Sequence, residues 1–269
     1  MCYRYPAASK KAGAGARAGV ARSEPRVDLL SIFQSPITVF VGHFGSGKSE
    51  IAVNVAFALR DQGRDVVLGD LDVVKPYFRC RLVRHDLAAQ GIELIVPEGA
   101  NFYADLPIVV PQVRMAAEQA LAGGRSLLLD VGGDDTGARV LGTLGASLPA
   151  GRTDVLFVVN ANRPFAENEA AILSMLRDVE TAARLPVTGL IANTHLMDET
   201  TPADTLQGLE IAEALARTTG VPVRCGAALA PVCAALAAGG TLVPLIPITR
   251  YIVPPYVRRR PGSRRSLAV

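Results

Sequence analysis

"VFVGHFGSGKSEIAVNVAFALRDQG", residues 39–63, runs from an apolar stretch through a glycine-rich turn into a segment of helix length. At its centre Gly42-His43-Phe44-Gly45-Ser46-Gly47-Lys48-Ser49 fits the pattern GxxxxGK[ST]. Glycines let such a turn bend tightly, so that successive N–H groups and the amino end of the next helix face phosphate oxygens. Lys48 is then placed to neutralise β and γ phosphates, and Ser49 to hold Mg²⁺ through its hydroxyl. Only four of the 28 basic residues are lysine. An ammonium is a compact charge that fits between phosphate oxygens in a narrow loop, whereas a guanidinium is a broad planar fork. A chain that otherwise uses arginine keeps lysine here.

Outward from this stretch, short apolar runs bounded by turn residues alternate with amphipathic segments. That alternation predicts a three-layer α/β/α fold with a mostly parallel central sheet of about seven or eight strands. Strands are expected at 37–41, 65–70, 92–96, 126–131, 154–160, 187–193 and 221–225, with helices near 47–61, 111–122, 166–183 and 203–219. "LVPLIPI" (242–248) reads as an edge strand, because its prolines would interrupt a central one. In open sheets of this kind ligands bind beyond the carboxyl ends of the strands, so residues there carry the most functional weight.

Two acidic clusters occupy such positions. "VVLGDLDVVKPYFR" sets Asp70 and Asp72 just past one strand, and "LLLDVGGDDTG" ends another with Asp130, followed by Gly132 and Gly133. Asp130 suits a carboxylate that binds Mg²⁺ through water, and the glycine pair suits a switch that senses the γ-phosphate. The alternative account of each aspartate is a solvated turn or a helix cap.

Gly42 to Ser49, "DLD" at 70–72, "DVGGD" at 130–134 and "LIANTH" at 190–195 resemble the MinD/ParA/CobQ-type proteins of the SIMIBI class of P-loop NTPases. "FGSGKSEIAVNVA" with "DLDVVKPYFR" is similar to an uncharacterised bacterial P-loop ATP-binding family, over about residues 36 to 250. The resemblance implies ATP and Mg²⁺ as ligands and a nucleotide cradle of Gly42, His43, Phe44, Gly45, Ser46, Gly47, Lys48, Ser49 and Glu50. It assigns Asp72 to the loop that activates water, Asp130 and Gly133 to the second switch, and Asn193 to the adenine edge. Lys48, Asp72 and Asp130 become the catalytic set, and Ser49, Asp72 and Asp130 the metal set. His43 stands where those relatives carry a second lysine that reaches the partner subunit, so Lys75 or Arg79 is the expected substitute charge. A homodimer and an unidentified protein partner are the assemblies the resemblance leaves open.

At 269 residues the chain can bury one large core. Residues 1–30 read as a basic extension too poor in large apolar side chains to pack, 31–250 as the nucleotide-binding body, and 251–269 as an extended basic tail. The net charge of +3 comprises +5 in residues 1–26 and +6 in residues 250–269, leaving the body at −8. Nucleic acid is therefore not an expected ligand, except weakly through the tails. No apolar run reaches the length of a membrane span, so a soluble cytoplasmic protein is expected. Cys2, Cys80, Cys225 and Cys233 show no metal-ligand spacing, nor do His43, His85 and His195.

Three functions fit these residues: an ATPase switch that releases a partner on hydrolysis, a phosphotransferase or ligase, and a nucleotide-binding module with negligible turnover. Guanine recognition would call for NKxD after the late strand. "ANTHLMD" has Thr194 and His195 instead, which favours ATP.

Overall fold

The computed structural model describes residues 28–72, 80–96, 110–133, 135–163 and 169–253. In chain order the elements are α1 (Leu29–Ile32), β1 (Ile37–Val41), α2 (Lys48–Asp61), β2 (Val66–Leu71), α3 (Arg84–Ala89), β3 (Glu93–Ile95), α4 (Val110–Leu121), β4 (Ser126–Val131), α5 (Asp135–Leu144), β5 (Thr153–Val159), α6 (Glu169–Ala183), β6 (Gly189–Ala192), α7 (Pro202–Thr219), β7 (Val223–Leu229), α8 (Ala230–Ala238) and β8 (Leu245–Ile248). The strands form one sheet in the order β3-β2-β4-β1-β5-β6-β7-β8, and every neighbouring pair is parallel.

A parallel sheet needs cover on both faces, so its strands must be apolar at nearly every position. β1 shows this directly. Ile37, Val39 and Val41 join the core beneath α4, α5 and α6, while Phe40 turns to the opposite core with α1 and α2. A third cluster, with Leu209, Ala212, Val232 and Leu236, packs α7 and α8 against β7 and β8. Central β1 lies between β4 and β5, where strand order reverses. The carboxyl ends of β1, β4 and β5 therefore open onto one crevice, into which the glycine-rich turn projects.

Several elements depart from expectation for local reasons. β7 extends to Leu229 because its small residues allow tight packing: a Cβ on Gly226 would lie 2.6 Å from the Leu245 side chain. α5 escapes sequence reading because "DTGARVLGTL" carries two glycines, Gly137 in its first turn and Gly142 in its last, and α8, "APVCAALAA", is too uniformly apolar to show an amphipathic period. β8 lies at the sheet edge, with Pro247 exposed. Leu29, Ile32 and Phe33 at one end and Ile252 at the other are buried in the core, so packing runs past residues 31 and 250. The remainder of both basic ends, Lys75 and Arg79 lie outside the described residues. Among the described residues no helix is long and apolar enough to cross a membrane.

The carboxyl end of β2 is pinned from within. Asp70 accepts from Arg81 Nε at 2.9 Å and from the Arg81 and Asp72 backbone N–H groups at 3.3 Å, with both charged side chains almost fully buried. Removing one partner of such a pair leaves an uncompensated charge in the interior. Arg81→Ala is expected to lower unfolding stability by about 3–5 kcal/mol in urea titrations, with part restored when Asp70→Asn is added. A loss below about 0.5 kcal/mol would mean that the pair does not hold this strand end.

Candidate nucleotide site

The loop between β1 and α2 is shaped by its own backbone. Gly42 takes φ +134°, and a Cβ there would stand 2.6 Å from the Val158 carbonyl of β5. Only glycine fits both conditions. The first helical bond of α2 runs from Ile51 N–H to the Gly47 carbonyl at 3.0 Å, so the N–H groups of Lys48, Ser49 and Glu50 lie ahead of it, at the positive end of the helix dipole. Lys48 is buried, and its Nζ donates to the carbonyls of Gly42 (2.9 Å) and His43 (3.0 Å). The ammonium thus sits inside the loop that it follows.

Side chains from the sheet hold this loop from outside. The Gly45 carbonyl accepts from Arg163 Nε at 2.8 Å and Asn160 Nδ2 at 3.3 Å, and the His195 imidazole also bonds to it. The Ser46 carbonyl accepts from Asn193 Nδ2 at 2.6 Å. Asn160 follows β5, and Asn193 and His195 follow β6, so two strand ends fix the turn after a third. Burial, then the positive charges of Arg163 and Arg250, push His195 down to about 4, which leaves it neutral at physiological pH.

Behind the loop stand the acids. Asp70 and Asp130 are direct partners across the β2–β4 pairing, and Asp130 is fully buried. Its Oδ2 accepts from the Cys80 thiol at 3.1 Å, while its Oδ1 meets no hydrogen-bond donor. Burial, then the charge of Asp70, raises the Asp130 carboxyl to about 7, against the pull of the Ser49 hydroxyl and the Lys48 ammonium. An orphaned carboxylate oxygen beside a hydroxyl suits Mg²⁺ or a water bound to it, a hard cation that takes oxygen ligands. Among the described residues no group of three or more His, Cys, Asp or Glu side chains is placed to hold a metal. An ion here would need further oxygens from a bound phosphate.

Gly133 closes the arrangement from β4. A Cβ on it would lie 2.7 Å from the Phe44 nitrogen and 2.9 Å from the Gly42 oxygen, so the missing side chain lets the turn after β4 lie flat on the loop. Asp72, Phe44, Gly45, Gly47, Lys48, Ser49, Glu50 and Asn193 all line one cavity of about 380 Å³. Gly42, His43, Ser46, Asp130 and Gly133 are not among the residues that line it, and His43 lines a separate small cavity with Asn160 and Ile172.

The other side of the cavity is largely apolar, with Met197, Leu229, Ile248 and Ile252 among its residues. His195, Arg250 and this apolar wall carry no mark in the sequence that assigns them to the site, and an ordinary turn ahead of a helix explains Asn160 and Arg163 equally well. The position of both after a strand was the only available signal. Arg81 and Cys80 follow "DLDVVKPYF" with nothing in the sequence to mark them as partners of Asp70 and Asp130.

No protein-family model and no curated protein sequence matches this chain. Solved structures similar to it include the cell division protein FtsY of Thermotoga maritima, at 21% identity and TM-score 0.48 over 70% of this chain and 60% of that one. Chloroplast FtsY of Physcomitrella patens is similar at 16% identity and TM-score 0.49, over 71% and 58%. The signal recognition particle 54 kDa protein of Aeropyrum pernix K1, solved with GDP, is similar at 18% identity and TM-score 0.47, over 71% and 41%. This chain therefore matches 41 to 60% of the length of those three proteins. The assignment of chemistry rests on the residues themselves.

The buried acid has a consequence for stability. Between about pH 4 and 7 the folded chain keeps a proton on Asp130 that the unfolded chain has released. The folded state binds more protons in that window, so stability falls as pH rises through it. Glu50, also raised to about 7 by burial, adds a contribution of the same sign. In metal-free buffer, Asp130→Asn is expected to flatten this decline by up to about 1.4 kcal/mol per pH unit and to be more stable than the wild type at pH 8. Denaturant unfolding at pH 5, 6, 7 and 8 tests this, and an unchanged slope would contradict it.

Proposed function

We propose that this chain is a Mg²⁺-dependent ATP-binding protein that hydrolyses ATP to ADP and phosphate as a conformational switch for a protein partner. The observation that carries the reading is the Lys48 ammonium at the amino end of α2, with Ser49 beside it and the unpartnered Asp130 oxygen behind. On this reading Lys48 exchanges the Gly42 and His43 carbonyls for β- and γ-phosphate oxygens, and the N–H groups at the start of α2 receive the rest of the triphosphate. Ser49 and Asp130, with Asp72, would hold Mg²⁺, which neutralises charge that develops on the phosphates. Asp72 orients the attacking water, and the stretches after Asp72 and Gly133 respond to the γ-phosphate.

Adenine is the base we assign. A primary amide offers two N–H donors and a carbonyl acceptor, so the bond from Asn193 to Ser46 leaves it a donor and an acceptor for the adenine edge. Asp198, the next acid after Asn193, is paired with Arg250 at 2.7 Å instead of serving a guanine.

Phosphate release from the purified full chain with Mg²⁺ and either ATP or GTP, without added acceptor, tests the proposal. ATP turnover that stops on chelation of Mg²⁺ is the expected result, and Lys48→Ala should lower it by about 10²-fold or more while the protein still unfolds cooperatively. Turnover unaffected by Lys48→Ala, or confined to GTP, would contradict it.

A further inference from the structure

The segment that follows β8 is tied to α2 by two polar side chains one turn apart. Asn54 donates from Nδ2 to the Thr249 carbonyl at 2.9 Å, and its Oδ1 accepts from the Thr249 N–H at 2.8 Å. This reciprocal pair imitates the ladder bonds that a ninth strand would supply. The Glu50 carboxylate accepts from the Tyr251 N–H, and from the Ile252 N–H at 3.3 Å on Oε1 and 3.2 Å on Oε2. Phe57, one turn further along the same face of α2, packs its ring against Tyr251 at a centroid distance of 4.6 Å. Residues 50, 54 and 57 therefore dock the extended segment 249–252 along the helix that begins at Lys48.

The segment alternates. Thr249 and Tyr251 meet α2, while Ile248, Arg250 and Ile252 line the cavity, which Met197 and Leu229 also line. An apolar slot of this kind accepts the flat face of an aromatic base. One wall of the slot is thus a short length of chain beyond the sheet edge, held by Glu50 and Asn54.

We infer that Glu50 and Asn54 are positioning residues for the nucleobase: they hold residues 248–252 as the wall against which the base rests and contribute to affinity for the base, not for the phosphates. The inference rests on the nucleotide reading above. Neither residue has to touch the base; each acts through the backbone that it fixes. Glu50 follows Ser49 directly, so one turn of helix carries both the phosphate-facing end and the latch of the base wall. Phosphate binding and base binding are joined through a rigid element.

The test compares two probes, ATP and inorganic tripolyphosphate, each titrated calorimetrically with Mg²⁺ into the full chain. Asn54→Ala is expected to weaken ATP about tenfold, as the loss of one or two part-buried hydrogen bonds would, while tripolyphosphate affinity stays within about twofold. Glu50→Ala is expected to weaken ATP as well, with part of the loss recovered in Glu50→Gln, whose amide oxygen still accepts an N–H. Thr249→Pro removes the N–H that Asn54 Oδ1 accepts, keeps the carbonyl that accepts from Asn54 Nδ2, and leaves the sequence of α2 unaltered, so it supplies a selective loss even if a helix variant fails to fold. Equal weakening of both probes, or undiminished ATP binding in variants that fold, would overturn the inference alone. A wild-type chain that binds neither probe would overturn the nucleotide reading, and this inference with it.

Discussion

One oxygen of Asp130 is buried at the end of β4 and meets no donor. A carboxylate in that position is disfavoured, and Asp70 directly across the sheet makes it more so. Sequence and fold nonetheless concentrate this cost where three strand ends meet the start of α2. Positive charge is the natural complement, and Lys48 with the N–H groups of the first helical turn supplies only part of it. The site is thus built around an electrostatic mismatch that a divalent cation bridged to phosphate would relieve.

The remaining contacts serve to keep that geometry fixed. Asn160, Arg163, Asn193 and His195 hold two carbonyls of the glycine-rich turn, while Gly133 lies against the backbone of the same turn from the other side. The buried Asp70–Arg81 pair plays the same part for the chain leaving β2. All of these groups except Arg81, which lies in the 3-10 turn Cys80–Val83, stand at or just past the end of a strand, so the sheet, and not the loop, sets where Lys48 and the first N–H groups of α2 point. A preorganised site of this kind needs little rearrangement when charge develops on a bound ligand.

Much of the fold was legible in the sequence because strands covered on both faces must be apolar runs, and "ITVFV", "SLLLDV" and "DVLFVV" are runs of that type. The loop before α2 was legible because its glycines and lysine obey a fixed spacing. Other features were not. α5 has an apolar face, but its two glycines lower its helix propensity, and α8 is too uniformly apolar to show a period. The docking of segment 249–252 could not be read at all, since it depends on Glu50 and Asn54 meeting a backbone about two hundred residues further along the chain. A carboxylate and an amide on a helix carry no sign that their partners are N–H groups rather than water.

The most direct measurement is a crystal structure with Mg²⁺ and a nonhydrolysable ATP analogue. The account predicts the β and γ phosphates at the start of α2, with Lys48 Nζ moved from the Gly42 and His43 carbonyls onto phosphate oxygens. It also predicts Asp130 Oδ1 within hydrogen-bond distance of a water on the ion, and the base between Met197 and Ile252. An analogue bound elsewhere, or Lys48 still seated on its own loop with the triphosphate present, would contradict it.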